Sequence, residues 1–261
     1  MKALGRKQSA DNADFVALAQ GIEQRVTRAE IDNLVDRTVD EIRRVAGDKR
    51  AAYAWSGGKD SIALGGVCRL AGVTPCLLGM TYLEYPQFLA WLTDNMPDEL
   101  TVINTGQDLN WLASNLSMLF PQDAATAARW FKIVQHKAQE VYYHDEELDM
   151  IVLGRRRADG NYCGAPGENV YTSKGVTRYS PIWQWRHEEV IAFNHYYGLP
   201  CPPIYSWPNG FVVGTGSWPA RQYTGSIENG WREVFSIDPS VVEFAATRIE
   251  SAREFLARKR G

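Results

Sequence analysis

The 261-residue sequence has few cysteines, little net charge and no long apolar run, and each scarcity argues against a class of protein. Its four cysteines are scattered without a close pair, which argues against a disulfide framework and against a Cys-x-x-Cys metal or redox site. The net charge of -3 disfavours broad nucleic-acid binding, which needs a basic field. No run reaches the roughly 18 apolar residues of a membrane span, and the first residues lack the apolar centre of a secretory signal. We therefore expect a cytoplasmic protein.

Hydrophobic residues make up 45% of the chain, which is enough for one sizeable core. Residues 28–46 have helical apolar spacing, preceded by a capping box of Thr27 and Glu30 and followed by Gly47. Strands then alternate with helices, which predicts parallel crossovers in a doubly wound α/β sheet flanked by helices. The strands are expected near 51–55, 74–80, 100–104 and in "LDMIVLG", and the helices near 60–71, 85–95 and 124–144.

Two long segments, 154–177 and 199–229, are predicted to be loops because they are rich in glycine and polar residues. Loops of this length in a compact domain are usually functional or disordered. Between them, "HEEVIAFNHYYG" predicts a short amphipathic helix. Asp238 followed by Pro239 predicts the start of a last helix, since these residues suit its cap and first position.

The stretch "AWSGGKDSIAL" places a glycine-rich turn between a predicted strand and a predicted helix. Such a turn directs backbone N–H groups and the positive end of the helix dipole at one spot, which suits phosphate. Glycine lets the ligand approach the main chain, Lys59 can neutralise phosphate charge, and Asp60 can hold a Mg²⁺ ion that bridges phosphate oxygens. The spacing matches neither the usual P-loop nor Gly-x-Gly-x-x-Gly. The predicted phosphate-binding residues are Ser56, Gly57, Gly58, Lys59, Asp60 and Ser61.

"SGGKDS" after an apolar strand resembles the pyrophosphatase loop of the adenine nucleotide alpha-hydrolase (PP-loop) superfamily. The order of the later segments is most similar to the phosphoadenylyl-sulfate (PAPS) reductase branch of that superfamily. These segments are "PCLLGMTYLEYPQFLAWL", "MIVLGRRRADGN" and "YSPIWQWRHEEVIAFNHYYGLPCPPIYSWPNGF". The resemblance covers about residues 50 to 245. The first motif is specific, and the others matter mainly through their order.

The resemblance implies that an adenine nucleotide lies over the carboxyl ends of the first two strands. The main chain from Leu78 to Met80 would then hydrogen-bond the base, and Arg155 or Arg156, after the fourth strand, would contact an anionic group. Lys59, Asp60 and Arg156 would be the catalytic residues. The implied organisation is an N-terminal helical extension over 1–47, a PP-loop nucleotide-binding domain over 48–235, and a C-terminal helix over 236–261 packing on it.

The sequence departs from the reductase pattern in its cysteines. The chain ends "SAREFLARKRG", without the terminal nucleophilic cysteine of PAPS reductases. Where related enzymes carry cysteine pairs for an iron–sulfur cluster, this chain has Trp130, Phe131 and Lys132, and later Gly216 and Trp218. We therefore expect no iron–sulfur cluster. Cys163 and Cys201 are the cysteines that could approach the site.

The glycine-rich loop, the arginines and the main chain of Leu78 to Met80, which we call the adenine shelf, predict an ATP-binding enzyme that cleaves at the alpha phosphate. Such an enzyme would be an ATP pyrophosphatase or an adenylating transferase. Its cofactor would be Mg²⁺, and its acceptor is unidentified. One alternative is a PAPS reductase with a non-standard or borrowed thiol. Another is a non-catalytic nucleotide sensor that docks a partner through the aromatic loop 205–231. A third is nucleic-acid modification, weakly supported by the triple arginine and "ARKRG". We expect the chain to form a homo-oligomer or to bind a partner protein.

The sequence indicates no catalytic role for two of the histidines and leaves the role of a basic group in the predicted helix 124–144 open. His187 and His195, at the two ends of a short predicted helix, are interpreted as surface or capping residues. Lys132, His136 and Lys137 lie where the family places further basic residues that bind anions, and a solvated helix face explains them equally well.

Overall fold

The structure is a computed structural model that describes residues 11–214 and 216–260. Internal contacts divide the chain into two compact units. The first contains the described residues up to Leu78 together with Asn95–Val102 and Gln139–Pro202. The second contains Gly79–Asp94, Ile103–Ala138 and the described residues from Pro203 onward. The sequence-based division into 1–47, 48–235 and 236–261 stays a prediction.

The described residues form a six-stranded sheet with the order β3-β2-β1-β4-β6-β5. Strand β1 is parallel to β2 and β4, β4 is parallel to β6, and β5 is antiparallel to β6. The predicted mostly parallel sheet flanked by helices is therefore confirmed. The strands are β1 (Ala51–Ala54), β2 (Cys76–Met80), β3 (Leu100–Asn104), β4 (Met150–Val152), β5 (Val170–Ser173) and β6 (Val176–Tyr179).

The strand order reverses on either side of β1. The chain runs from β1 to β2 and β3 on one side and returns to β4 on the other. Tyr53 of β1 lies opposite Val152 of β4 in parallel register, so the two strands end side by side. Open α/β sheets bind ligands outside the carboxyl ends of their strands at such a reversal point. The segments that follow β1 and β4 are therefore brought to the expected place for a ligand.

The helices agree closely with the apolar spacing along most of the chain. In the first unit, α1, α2, α3 and α8 pack together. In the second unit, α10, α11 and α12 pack together. The helices are α1 (Asn12–Gln20), α2 (Arg28–Ala46), α3 (Lys59–Ala71), α4 (Pro86–Asn95), α5 (Leu109–Ala113), α6 (Ala124–Phe131), α7 (Lys137–Asp145), α8 (His187–Tyr196), α9 (Gly210–Val213), α10 (Ile227–Ile237), α11 (Pro239–Ala246) and α12 (Glu250–Arg260).

Helix α2 begins and ends where its sequence signals predicted. The Glu30 carboxylate accepts a hydrogen bond from the Thr27 backbone N–H at 2.7 Å, and Thr27 Oγ1 accepts one from the Glu30 N–H at 3.3 Å. This reciprocal capping satisfies donors that the first helical turn leaves without partners. At the other end, Gly47 has a φ of +25°, a region that favours glycine, and its N–H bonds Arg43 O at 2.9 Å.

Four sequence-based expectations about elements were wrong in detail. The loop predicted over 199–229 contains α9 and the start of α10. The helix predicted over 124–144 is interrupted by a π-helical turn at Lys132–His136 between α6 and α7. The last helix is two helices, and the Thr247 hydroxyl donates to Phe244 O at 2.7 Å as α11 ends. The predicted loop 154–177 contains the β5–β6 hairpin, whose turn residues Lys174 and Gly175 have φ of +53° and +76°. Positive φ at both positions is typical of a two-residue type I′ turn.

The aromatic side chains of segment 205–231 mostly pack inside the second unit. Trp218 is 1% exposed and Trp231 is 0% exposed, and their rings lie 5.7 Å apart. Tyr223 is the exception, at 55% exposed. This packing favours a structural role for most of the aromatic residues in the segment. Among the described residues, no helix is both long enough and apolar enough to cross a bilayer.

We predict that Gly66 is required for packing of α3. A Cβ at this position would lie 2.6 Å from Phe193 Cε1 and 3.1 Å from Leu199 Cδ1. Gly66→Val should therefore lower the free energy of unfolding by about 2 kcal/mol or more, because overpacking forces side chains and backbone to shift. Equilibrium urea unfolding measures this change.

The matched control is Arg69→Val, which places the same side chain on an exposed position of the same helix. It should change the free energy of unfolding by about 0.5 kcal/mol, the size usual for a surface position. Equal unfolding midpoints for the two variants would contradict the packing described here.

Candidate functional site

The loop after β1 is shaped by two glycines and tied by two serines. Gly57 has a φ of +69°, and Gly58, in extended conformation, is the N-cap of α3. The Ser61 hydroxyl accepts a hydrogen bond from the Ser56 N–H at 3.0 Å and donates to Gly58 O at 2.9 Å. The Ser56 and Ser61 hydroxyl oxygens are 3.2 Å apart. These bonds close the loop into a compact turn whose conformation at Gly57 favours glycine.

The N-terminus of α3 has the properties of an anion site. Gly58 provides no side-chain cap, so no side chain from the N-cap position covers the first turn. The N–H groups of a first turn have no acceptor within the helix, and the helix dipole places partial positive charge there. Ser56 is exposed at the mouth of the loop. The arrangement suits a phosphate group that approaches the main chain.

Asp60, in the first turn of α3, lies between two cations. Its Oδ2 is 2.7 Å from Lys59 Nζ, and its Oδ1 is 2.8 Å from Arg156 Nη2. The Asp60 side chain is 27% exposed, whereas those of Lys59 and Arg156 are 5% and 0% exposed. The structure thus brings the three predicted catalytic residues together, as one charge cluster in the first unit.

Arg156 is held by protein groups on several sides. Its Nη2 also lies 2.9 Å from Asp159 Oδ2 and 3.1 Å from His187 Nδ1. Its Nη1 donates to the backbone oxygen of Trp185 at 3.1 Å. The guanidinium is completely buried, so these contacts replace its water. Arg156 therefore supports the loop through Asp60 and does not present itself to solvent.

His187, the first residue of α8, is 1% exposed and forms part of this cluster. Its interpretation as a surface or capping residue was therefore wrong. Burial, and secondarily the neighbouring Arg156 charge, lowers the pKa of His187. His195, at the other end of α8, is half-exposed and lies 2.7 Å from the Glu23 carboxylate. The surface role predicted for His195 agrees with this position.

Two further contacts hold the start of α3 in place. A Cβ at Gly154, the residue between β4 and the triple arginine, would lie 3.2 Å from Asp60 O. The segment after β4 therefore packs closely against the first turn of α3. The Asn194 side-chain amide donates to Lys59 O at 2.9 Å, and Asn194 is buried. Both contacts restrain the main chain of the turn between β1 and α3.

The other two arginines after β4 have separate surroundings. Arg155 donates to the hydroxyl of Tyr171 and, at 3.4 Å, to the backbone oxygen of Tyr162. Arg157 is exposed, and its guanidinium carbon lies 4.1 Å from the centre of the Trp183 ring. Contact of Arg155 or Arg156 with an anionic ligand stays a prediction.

The predicted adenine shelf is divided between the two units, with Leu78 in the first and Met80 in the second. Both residues are buried. Met80 O already accepts hydrogen bonds from Thr105 N–H at 2.9 Å and Thr105 Oγ1 at 3.1 Å. Recognition of a base by the main chain of Leu78 to Met80 stays a prediction. Lys132, His136 and Lys137 lie in the second unit.

The two cysteines considered for chemistry carry protonated thiols at neutral pH. Burial raises the pKa of the Cys163 thiol, and Cys163 is 2% exposed. Burial also raises the pKa of Cys201 to about 11, although Lys59 acts in the opposite direction. Cys201 retains an exposed surface. Neither environment favours the thiolate that nucleophilic attack requires.

The residues present do not fit a Mg²⁺ ion bound to Asp60. Each oxygen of that carboxylate lies within 2.8 Å of a cationic nitrogen, so a metal ion there would add a third positive charge. Among the described residues, no group of three His, Cys, Asp or Glu side chains is placed to hold a metal. We therefore derive no chemical step through a metal ion.

Comparison with known proteins agrees with the sequence resemblance. No protein-family model matches this chain. A phosphoadenosine 5'-phosphosulfate reductase from Aliivibrio fischeri strain MJ11 is 26% identical over 155 residues, covering 56% of this chain and 58% of the relative. The chain thus spans just over half the length of the curated relatives it matches. The sequence relatives are enzymes, and they point to the PAPS reductase-like PP-loop superfamily. The loop motif predicted this superfamily, and the order of the later segments predicted the similarity to PAPS reductases.

Two solved structures are also similar to this chain. A PAPS reductase from Candida auris, in a phosphate complex, has a TM-score of 0.48 at 13% identity and covers 69% of this chain and 92% of its own. A U34-tRNA thiolase from Methanococcus maripaludis with its [4Fe-4S] cluster has a TM-score of 0.44 at 14% identity, covering 87% and 80%.

Sequence reasoning missed polar residues that contact Arg156 and the start of α3. Asp159 contacts Arg156 and Asn194 contacts Lys59 O, and neither carries a recognisable motif. His187 had one usable signal, because it lies within the Trp-containing segment similar to the reductase branch. That signal indicates that His187 lies near the sheet edge, but it does not identify the residues that contact its side chain.

We predict that Arg156→Leu destabilises the first unit. It would leave Asp60 and the largely buried Asp159 without their shared counter-ion, which typically costs about 3 kcal/mol or more. Arg157→Leu is the control, since it removes an exposed guanidinium stacked on Trp183 and should cost about 1 kcal/mol or less. Chemical denaturation compares the variants, and similar losses in both would refute the central position of Arg156.

Proposed function

We propose that this chain is an ATP-binding PP-loop enzyme that transfers the adenylyl group to an acceptor and releases pyrophosphate. The observation that supports this most directly is the uncapped first turn of α3 at the strand-order reversal, backed by the Arg156–Asp60–Lys59 cluster. The position, the glycine conformation and the positive helix end all suit the phosphates of a nucleotide. The sequence relatives support the same superfamily.

In this proposal the main chain binds the phosphates. N–H groups from Gly57 to Ser61 would donate hydrogen bonds to phosphate oxygens. The exposed Ser56 hydroxyl would join them by turning its hydrogen away from the Ser61 oxygen, which lies 3.2 Å away. Lys59 forms an ion pair with Asp60 in the first turn of α3, so it would hold the turn in place and add little net attraction for phosphate. Because the loop is already closed by the Ser56–Ser61 bonds, little ordering is needed when the ligand arrives.

The reaction would be an in-line displacement at the alpha phosphorus. An acceptor oxygen or nitrogen donates an electron pair to phosphorus, the bond to the bridging oxygen breaks, and pyrophosphate leaves with that pair. The acceptor then carries AMP and loses its proton to solvent or to a base. The loop would act by positioning the nucleotide and by stabilising charge on the leaving group.

PAPS reduction is the second candidate, and the names of the sequence relatives favour it. It requires a thiolate to attack sulfur, and the thiols of Cys163 and Cys201 have raised pKa values. A thiol borrowed from a partner protein would remove this difficulty. A non-catalytic nucleotide sensor would bind a nucleotide in the same loop without turnover. A component that modifies nucleic acid would use the same loop for a different reaction.

One experiment separates these candidates. The purified chain is incubated with labelled ATP in Mg²⁺ buffer, and separately with labelled PAPS and a thioredoxin-type reductant, and the products are resolved. Pyrophosphate or AMP transfer supports the adenylyl transferase, whereas sulfite and adenosine bisphosphate support the reductase. Tight ATP binding without turnover, also when a small-molecule cell extract supplies acceptors, supports the sensor. No binding of either nucleotide refutes the nucleotide site.

We predict that Ser61→Ala weakens ATP binding about tenfold. The substitution removes the hydroxyl that joins Ser56 to Gly58, and losing such a hydrogen-bonded bridge costs about 1 kcal/mol or more. Ser173→Ala, on exposed strand β5, is the control and should bind ATP like the original chain. Isothermal titration calorimetry at constant pH gives both affinities, and unchanged affinity in Ser61→Ala would count against the loop.

A further inference from the structure

A continuous series of polar contacts connects helix α8 to the phosphate-binding turn. His187 Nδ1 lies 3.1 Å from Arg156 Nη2, the same Arg156 atom lies 2.8 Å from Asp60 Oδ1, and Asp60 Oδ2 lies 2.7 Å from Lys59 Nζ. His187, Arg156 and Lys59 are almost fully buried. The proposed nucleotide mechanism assigns no role to His187, although it is the far end of this series.

The chemistry of the contact favours one state of the imidazole. Arg156 Nη2 carries two hydrogens and lies close to three acceptors, on Asp60, Asp159 and His187. Because arginine carries only donors, we assign His187 Nδ1 as the acceptor in this contact, which places the hydrogen of the neutral ring on Nε2. A protonated imidazole has donors at both nitrogens and could not form this bond.

The charged groups around His187 come from two neighbouring segments. The segment after β4 contributes Arg156 and Asp159, whose Oδ1 lies 3.9 Å from His187 Nδ1, and the start of α3 contributes Lys59 and Asp60. With a neutral imidazole, the two cations balance the two carboxylates. Protonation would add an uncompensated positive charge against Arg156.

The described neighbours on α1 and α8 add no net charge to this group. The Phe15 ring of α1 meets the imidazole edge-on, with the ring centres 5.0 Å apart, and carries no charge. On α8 itself, the carboxylates of Glu188 and Glu189 pair with Arg186 at 3.1 and 3.0 Å.

We propose that His187 is a positioning residue: as a neutral hydrogen-bond acceptor it fixes Arg156, which holds Asp60 and the phosphate-binding turn, and its protonation releases that turn. This inference rests on the proposed nucleotide function for its consequence, but the positioning itself concerns the free protein. The residue need not touch the nucleotide.

The direction of the pH effect follows from the environment. Burial and Arg156 lower the pKa of His187, so the folded chain favours the neutral form. The contact is complete above the ordinary histidine pKa of about 6.5 and is lost as the pH falls through the lowered value. Nucleotide affinity and the stability of the first unit should therefore both decrease on acidification.

Two substitutions separate hydrogen-bond acceptance from titration. In His187→Asn, the side-chain oxygen can take the place of Nδ1 as an acceptor but cannot be protonated near neutral pH. In His187→Leu, the acceptor is lost at every pH. His195→Asn is the matched control, because it removes a histidine from the same helix that is half-exposed and pairs with Glu23.

The experiment measures ATP affinity by calorimetry from pH 8 downward to the lowest pH at which the chain stays folded, and hydrogen exchange of residues 56–61 in the nucleotide-free protein at pH 7.5. The original chain and His195→Asn should lose affinity about tenfold as the pH falls through the lowered pKa of His187, the effect of one lost charge-assisted hydrogen bond. His187→Asn should keep high affinity with a much flatter profile. His187→Leu should bind about tenfold more weakly at pH 8 and exchange faster at residues 56–61.

The two readouts distinguish the possible failures. If the original chain binds no ATP, the proposed function fails, and hydrogen exchange alone then decides the positioning role. Slow exchange at residues 56–61 in His187→Leu, equal to that of the original chain, would overturn the inference. The same conclusion follows if His187→Asn retains the full pH dependence of affinity, since the titrating group would then lie elsewhere.

Discussion

The buried guanidinium of Arg156 is the constraint on which the candidate site depends. An arginine with no solvent exposure cannot lose its charge, so the fold must supply anions and acceptors around it. Asp159 comes from the same segment, but Asp60 comes from α3, so compensation of this charge couples the end of β4 to the first turn of α3. Parallel pairing of β1 with β4 makes the coupling possible, because it brings both segments to one edge of the sheet. Removing a partner would leave a buried charge uncompensated.

This coupling affects how phosphate could be bound. Lys59 and Arg156 are each compensated by a carboxylate, so the group behind the loop is close to neutral while His187 is neutral. Attraction of a nucleotide would then come mainly from main-chain N–H groups and the helix dipole. Hydrogen bonds of this kind are directional, and they favour a ligand that fits the turn over any anion nearby. The ion pairs would contribute chiefly by holding the donors in position.

The sequence predicted those parts of the molecule that depend on local patterns. The capping box at Thr27 predicted the start of α2, and "SGGKDS" predicted the glycine-rich turn between β1 and α3, because local propensity and spacing decide both. The turn at Lys174 was missed because lysine seldom adopts positive φ. The burial of His187 and Arg156 was not predictable, since it depends on contacts between residues far apart in the chain. From sequence alone, a buried basic residue in a polar segment cannot be distinguished from an exposed one, because its partners come from other parts of the chain.

The thiols give an independent argument about the chemistry. With a pKa of about 11, roughly one Cys201 side chain in 10⁴ would be a thiolate at pH 7. The Lys59 charge lowers this pKa, so a bound phosphate that compensates Lys59 would weaken the one favourable influence and raise the pKa further. In the proposed function, a nucleotide in the loop would thus make Cys201 a poorer nucleophile. Attack on phosphorus by an external oxygen or nitrogen would meet no such conflict, because the N–H donors proposed to bind the nucleotide would also stabilise charge on its leaving group.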